Sequence, residues 1–384
     1  MESSTSFLHA DVPVPPGFRS LSLPQHHATT VVFPNSRTLL TADEFAEDGY
    51  EYGLSHTPTT LTLAAKLAAI EGGTHAVLAS SGMAALALTS LATLRAGDVV
   101  LLPKNAYAPN RDFARTVLTE FGVTVAEYTP DEADLGARID ERLRLLWIEA
   151  PGSITLETPD VTSLIAQAHS VGAKVAVDNT WSAGVYFRPL GLGADFSIQA
   201  LSKYQSGASD VFLGAVVTRS AQDHAQLKRV AVRLGSLAPA HDCALVHRSL
   251  GSLWARLAAH EAAALRLAHG LDGHPNVARV LHPALPSCGG HEHWKRCFTG
   301  SSGVFSFALD RRYTFDDVCA VVDALRCFKI GFSWGGSTSL ATPYRPPDWW
   351  PDRKAYAGIV RLGVGLESPD DLEADVMQAL QRLP

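Results

Sequence analysis

The sequence predicts an α/β fold: a large, mostly parallel sheet sandwiched by helices, a smaller C-terminal α/β unit and an N-terminal arm. Three observations lead there. Between about residues 60 and 217, short apolar runs alternate with helical patterns, which is how βα units read. Those runs are near-continuous in hydrophobic character, as in KVAVD at 174–178, so their strands are covered on both faces. The chain has 384 residues, and at roughly 100–200 residues per domain two domains are expected. We place an arm at 1–58, a ligand-binding domain at 59–240, and a long helix with the C-terminal domain at 241–384.

Residues 1–58 lack periodicity and are rich in Pro, Ser, Thr and His. An arm of this kind packs on something, often a neighbouring subunit. The first helix is expected at 60–71, with Leu63, Leu67 and Ile70 on one face and Gly72-Gly73 as its stop. A strand at 75–79 leads into Ser80-Ser81-Gly82-Met83 and an apolar helix to about 94. Strands follow at 98–102, 123–128, 145–149, 174–178, 196–201 and 211–217, with helices at 111–120 and 161–170. One or two long helices are expected over 221–269. The C-terminal unit shows strands near 277–281, 304–309 and 359–364 and helices near 315–326 and 368–383, with a polar, Pro- and Trp-rich stretch at 333–353 between them.

Composition narrows the function. Hydrophobic residues make up 46% and charged residues 18%, which suits a packed globular enzyme. The net charge of −7 leaves no excess of positive charge for phosphate backbones, so nucleic acid is not the expected partner. Five cysteines occur without CxxC spacing, giving neither a zinc ribbon nor a redox motif. Reduced thiols fit a cytoplasmic protein. We expect no secretory signal and, with no apolar run of ~18 residues, no membrane span.

The chemistry gathers at the C-terminal ends of strands, where open α/β sheets bind ligands. Lys203 follows the apolar run 194–201 and precedes Tyr204 and a polar turn. A desolvated lysine there can form a Schiff base with an aldehyde cofactor, although most lysines are solvated surface charges. Asp178 ends the strand at 174–178. Beside a pyridoxal ring, a carboxylate keeps the ring nitrogen protonated; taken alone, it reads equally as a turn or cap residue. The strand–SSGM–helix junction leaves backbone N–H groups free at a helix N-terminus, which suits a phosphate and also describes an ordinary N-cap. Arg361 lies inside GIVRLGVG, with Ile359 and Gly363 on its face. A buried guanidinium must be paired, and the neighbouring Gly363 is expected to leave room for a ligand carboxylate; a structural salt bridge is the alternative. Tyr107, just after a strand end, can stack on a flat ring or simply pack.

These residues sit in stretches that resemble the pyridoxal-phosphate enzymes of cysteine and methionine metabolism, of fold type I, and within them the cystathionine β-lyase branch. The resemblance covers the chain after about residue 30. It is carried by EGG with SSGMAAL, EAPGSITLE, VDNTWSAGV, SIQALSKYQSGASD, LHPALP, HEHWKRCFTGSSGVFSF, FSWGGSTSL and IVRLGVGLE. It implies that the cofactor is pyridoxal 5'-phosphate, with Lys203 as Schiff-base lysine, Asp178 on the ring nitrogen and Tyr107 stacked on the ring. Gly82, Met83 and the Ser202 hydroxyl would cradle the phosphate. Arg361 would bind the substrate carboxylate beside Ser333 and Trp334. Tyr52 would reach the phosphate of a neighbouring subunit in a homotetramer built as a dimer of dimers. The implied activity is α,β-elimination on a small amino-acid thioether such as L-cystathionine, giving homocysteine, pyruvate and ammonia. A γ-acting relative and a non-catalytic binding subunit of the same fold are the alternatives.

The sequence departs from the family pattern in three places. The arm of the family carries Tyr-x-Arg, with the arginine on the phosphate, and here the stretch is Tyr52-Gly53-Leu54. Ser55 and His56 cannot replace a bidentate fork. Ala208 stands where the family has histidine, and Ala200 where it has serine, the latter also a β-lyase feature. A lost charge-assisted hydrogen bond is worth roughly 1.5–3 kcal/mol, about ten- to a hundredfold in affinity. We therefore expect the cofactor to leave this protein more readily than its relatives. Long dialysis should deplete the bound cofactor's visible absorbance; full retention would contradict the expectation.

Overall fold

The structure is a computed structural model that describes residues 24–43, 50–236, 238–351 and 353–384; the rest of the expected arm lies outside them. Seven strands form the large sheet: β1 (His75–Ala79), β2 (Val99–Pro103), β3 (Thr124–Tyr128), β4 (Leu143–Glu149), β5 (Lys174–Asp178), β6 (Phe196–Ala200) and β7 (Gly214–Thr218). Their order is β1-β7-β6-β5-β4-β2-β3. All run in one direction except β7, which is antiparallel to both its neighbours.

Alternation along each strand feeds two cores. Leu101, Leu146, Ile148, Val175 and Val177 pack with Leu164 and Ile165 of the helix Val161–Ser170. Val100, Leu102, Leu145, Trp147 and Ala176 pack on the other face with Leu86 and Leu88 of the helix Gly82–Thr93. Both faces are covered, which is why these strands read as continuous apolar runs.

The second sheet contains β8 (Val277–Leu281), β9 (Val304–Asp310), β10 (Lys329–Ile330), β11 (Leu340–Tyr344) and β12 (Tyr356–Gly363), in the order β10-β11-β12-β9-β8. Val360 and Leu362 of β12 join a core with Leu267, Val322 and Val376 from three helices. The period of two therefore sends Ile359 and Arg361 to the opposite face. That face meets the large unit, where the Ser306 hydroxyl donates to Ile154 O at 2.7 Å and Trp181 Nε1 donates to Val304 O at 3.0 Å.

Several expectations need correction. The segment 221–269 is three helices, Ala221–Leu234, Ala240–Leu250 and Leu253–Leu271. Gly235, at φ +63°, ends the first, Pro239 precedes the second, and a turn at Gly251-Ser252 separates the last two. The stretch 333–353 contains β11, whose TPY sequence hid it. The last large-sheet strand starts at Gly214 rather than 211, because the chain before it is still closing the Lys203 turn. The helix expected at 111–120 begins at Ala108 and passes into a π-turn over Ala114–Leu118. Among the described residues, no helix is long and apolar enough to cross a membrane.

A polar cluster lies under the ends of β5 and β6. Glu71, fully buried at the end of the helix Pro58–Glu71, accepts from Asn179 Nδ2 at 2.9 Å, from Ser197 Oγ at 2.7 Å and from Gln199 Nε2. Burial pushes its carboxyl up from 4.5 to about 7, with those hydrogen bonds and Arg188 opposing. A proton held more tightly in the folded state stabilises the fold fully below about pH 4.5, and that stabilisation is lost as pH rises to about 7. Its size is on the order of 3 kcal/mol. Unfolding followed from pH 4.5 to 7 should show a shallower pH slope in Glu71→Gln than in wild type; identical slopes would contradict the account.

Candidate active site

The two groups singled out at the strand ends do converge. Asp178 closes β5, where the Thr180 N–H donates to its Oδ1 at 3.1 Å. Burial pushes its carboxyl up from the usual carboxylate range, with the Thr180 bonds and the Lys203 charge opposing. After β6 the chain turns at once, Lys203 N donating to Ala200 O at 3.1 Å, and this turn aims the lysine back over the sheet end. The amine donates to Ser333 Oγ at 2.9 Å and lies 5.1 Å from the centre of the Trp334 ring. Burial and the Arg361 charge pull the Lys203 amine below its usual range, with Asp178 in partial opposition.

The Ser333–Gly336 turn is fitted tightly against the lysine turn. A Cβ on Gly335, which has φ +82°, would lie 2.8 Å from Tyr204 N and 2.9 Å from Lys203 C. Ser333 itself has φ +113°, a conformation costly for a residue with a side chain. Arg361 is 6% exposed. It donates to Ser153 O at 3.2 Å and lies over Trp334 at 5.1 Å and Tyr344 at 5.2 Å. Among the described residues it makes no carboxylate ion pair, so the salt-bridge alternative fails locally. One detail is corrected. The space beside Gly363 is filled by protein, since a Cβ there would lie 2.9 Å from Trp334 Cβ.

The helix terminus expected to face a phosphate is formed. Ser81 caps the helix Gly82–Thr93 by accepting from Ala84 N at 3.0 Å. The Gly82 and Met83 N–H groups, first in the helix, have no carbonyl one turn back to bond. Gly82 is pressed against the lysine strand, where its Cβ would lie 2.5 Å from Ala200 Cβ. Ser202, beside Lys203 and two residues after Ala200, is partly buried. Helix terminus, small-residue contact, buried acid and desolvated lysine together suit pyridoxal phosphate. Tyr107 is 41% exposed, and burial, Asp178 and Glu149 all push its hydroxyl up. Tyr52 stands apart. It is half exposed on the arm and bridged to Thr30, with no hydrogen bond to the Lys203 cluster.

Two residues of this region escaped the sequence reading. Glu149 ends β4 opposite Asp178 and accepts from Tyr107 N at 2.6 Å; an acid closing an apolar strand was the available signal. Arg256 braces the lysine turn from the helix Leu253–Leu271. Its Nη1 donates to Tyr204 O at 2.6 Å and its Nη2 to Ser249 O at 3.1 Å. Nothing in the local sequence marks it, because its bond to the lysine turn goes to a backbone carbonyl, and its other partners are Ser249 and Ser252.

The Ser333 geometry makes a prediction. Ser333→Ala removes the hydrogen bond to Lys203, about 1 kcal/mol or up to tenfold in turnover. Ser333→Gly loses the same bond but relieves the positive φ, by roughly 1 kcal/mol. Glycine should therefore melt higher than alanine at equal activity. A lower melting temperature for Ser333→Gly would contradict the strain.

Comparison with known proteins agrees with this geometry. The family model described as Cys/Met metabolism PLP-dependent enzyme matches residues 4–381. The chain is 38% identical to cystathionine beta-lyase MetC of Escherichia coli K12, over 86% of each chain. It is 35% identical to an L-alanine/L-glutamate racemase of Wolbachia pipientis wMel, over 95% of this chain and 93% of the relative. Its backbone matches a crystal structure of cystathionine gamma synthase from Xanthomonas oryzae pv. oryzae in complex with aminoacrylate and cysteine, with TM-score 0.87 and 30% identity over 96% and 95% of the two chains. With the lysine, acid and helix terminus in place and the family model spanning nearly the whole length, the chain belongs to the Cys/Met metabolism PLP-dependent enzymes.

Proposed function

We propose that this enzyme is a carbon–sulfur β-lyase that cleaves L-cystathionine or a related cysteine thioether. With one water, the products are a thiol (homocysteine from cystathionine), pyruvate and ammonia. The carrying observation is the Lys203 amine. It is held by Ser333 Oγ at 2.9 Å, and burial and Arg361 pull it toward the neutral form that a proton acceptor needs.

Pyridoxal phosphate, when bound, supplies an electron sink for a carbanion at the substrate Cα. The protein does the rest. Arg361 takes the substrate α-carboxylate, and Trp334, packed across both Arg361 and Lys203, shields the pair from water. Lys203 removes the Cα proton onto Nζ, and Ser333 steers that amine. The Cβ–S bond then breaks with its electrons on sulfur. Asp178 would face the ring nitrogen, whose positive charge would favour the carboxylate, Tyr107 would cover the ring, and Gly82, Met83 and Ser202 would hold the phosphate. Tyr52 would complete a neighbouring site in a homotetramer, a reading supported by its exposed place on the arm. Five free cysteines support a cytoplasmic setting.

The Wolbachia relative favours a second reading, amino-acid racemisation. It starts with the same proton removal but returns a proton to the opposite face of Cα. The γ-acting reading is supported by the likeness to the Xanthomonas synthase.

One panel separates these readings. Cofactor-loaded protein is given cysteine thioethers and, separately, L-alanine in deuterium oxide. Pyruvate from the thioethers is expected. 2-Oxobutyrate would indicate γ-chemistry, D-alanine racemisation, and no product would sink the enzyme reading. Lys203→Ala should abolish turnover. Arg361→Ala should raise KM by roughly ten- to a hundredfold, the worth of a charge-assisted bond.

A further inference from the structure

Glu149 has no role in the readings above, yet it touches three of their parts. It ends β4 in register with Asp178 at the end of β5. Its Oε2 accepts from Tyr107 N at 2.6 Å. Tyr107 starts the short helix Ala108–Phe113 with no side-chain cap; its carbonyl accepts from Asn110 N at 3.0 Å, and its N–H is held by the Glu149 carboxyl. The Ser153 hydroxyl lies on the Glu149 side and favours the charged form of its carboxyl. The carbonyl of Ser153 accepts from Arg361 Nη1 at 3.2 Å, and its N–H donates to Asn105 O at 2.9 Å, two residues before Tyr107.

We propose that Glu149 is a positioning residue, which sets Tyr107 beside Asp178 and, through Ser153, ties that placement to the Arg361 guanidinium. The inference rests on the reading of Tyr107 and Arg361 as cofactor- and substrate-facing groups. Two carboxyls side by side on adjacent strand ends repel when both are charged. Burial, and then Asp178, accordingly push the Glu149 carboxyl well up, against the Tyr107 bond and Arg361. What the site uses is therefore an acceptor at this position, not a second negative charge. A glutamine keeps the acceptor and an alanine does not.

The test uses the cofactor-loaded enzyme and two readouts: KM for a cysteine thioether, and affinity for L-alanine, read from the change in cofactor absorbance. Glu149→Ala should weaken L-alanine binding about tenfold and raise KM, since one hydrogen bond to a charged or strongly polar group is worth that much. Glu149→Gln should stay within about threefold of wild type. In the Tyr107→Ala background, Glu149→Ala should cost little more, because the group it positions has gone. Ser153→Ala removes only the hydroxyl link and should weaken L-alanine binding severalfold; it carries the test if Glu149→Ala does not fold. Wild-type affinity in Glu149→Ala or Ser153→Ala, equal damage from alanine and glutamine, or full additivity with Tyr107→Ala would each overturn the proposal. A wild-type protein with no cofactor absorbance would instead overturn the functional reading itself.

Discussion

The Lys203 amine is placed where its charge is poorly supported. Burial and the Arg361 guanidinium both work against the proton, and Asp178 works for it. The amine is nonetheless held in one direction by the Ser333 hydroxyl. A lysine in water has neither property. Both depend on the close seating of the Ser333–Gly336 turn, which comes from the second sheet, on a turn that belongs to the first. Glycine at 335 is what permits that approach, as any Cβ there would overlap the backbone of Lys203 and Tyr204.

The site therefore belongs to both sheets. From the large sheet come Asp178 and the lysine turn, with the helix terminus at Gly82 pressed on Ala200. From the small sheet comes Arg361, on the face of β12 that its helices leave uncovered. Arg256 clamps the lysine turn from behind through backbone carbonyls. Glu71 ties β5 and β6 beneath it through Asn179, Ser197 and Gln199. Buried polar groups this well bonded hold strand ends in register, where a purely apolar floor would let them slide.

Much of this was legible in the sequence where local signals and burial agree. The helix Val161–Ser170 and strand Lys174–Asp178 fall where expected. Asp160 caps one by accepting from Ser163 N, and the other is buried on both sides. The face of Arg361 followed from the period of two. Illegible features depended on contacts between distant segments. Glu149 matters only because β4 pairs with β5, and Arg256 only because its helix folds back on the lysine turn. The room expected for a ligand beside Gly363 is absent, since Trp334 fills it. Strand β11 was missed because its pairing with β12 overrides a sequence that reads as a turn. Most of the functional roles came from the resemblance of motifs to a family, and the local reading left several of them open between site and ordinary packing.

The central claim is that Lys203 is the residue to which pyridoxal phosphate attaches. Borohydride reduction of the cofactor-loaded protein, followed by peptide mass mapping, tests it most directly. The account predicts a reduced pyridoxyl-phosphate adduct on Lys203 and on no other lysine. An adduct confined to another lysine, or none at all in protein that has been supplied with the cofactor, would contradict it.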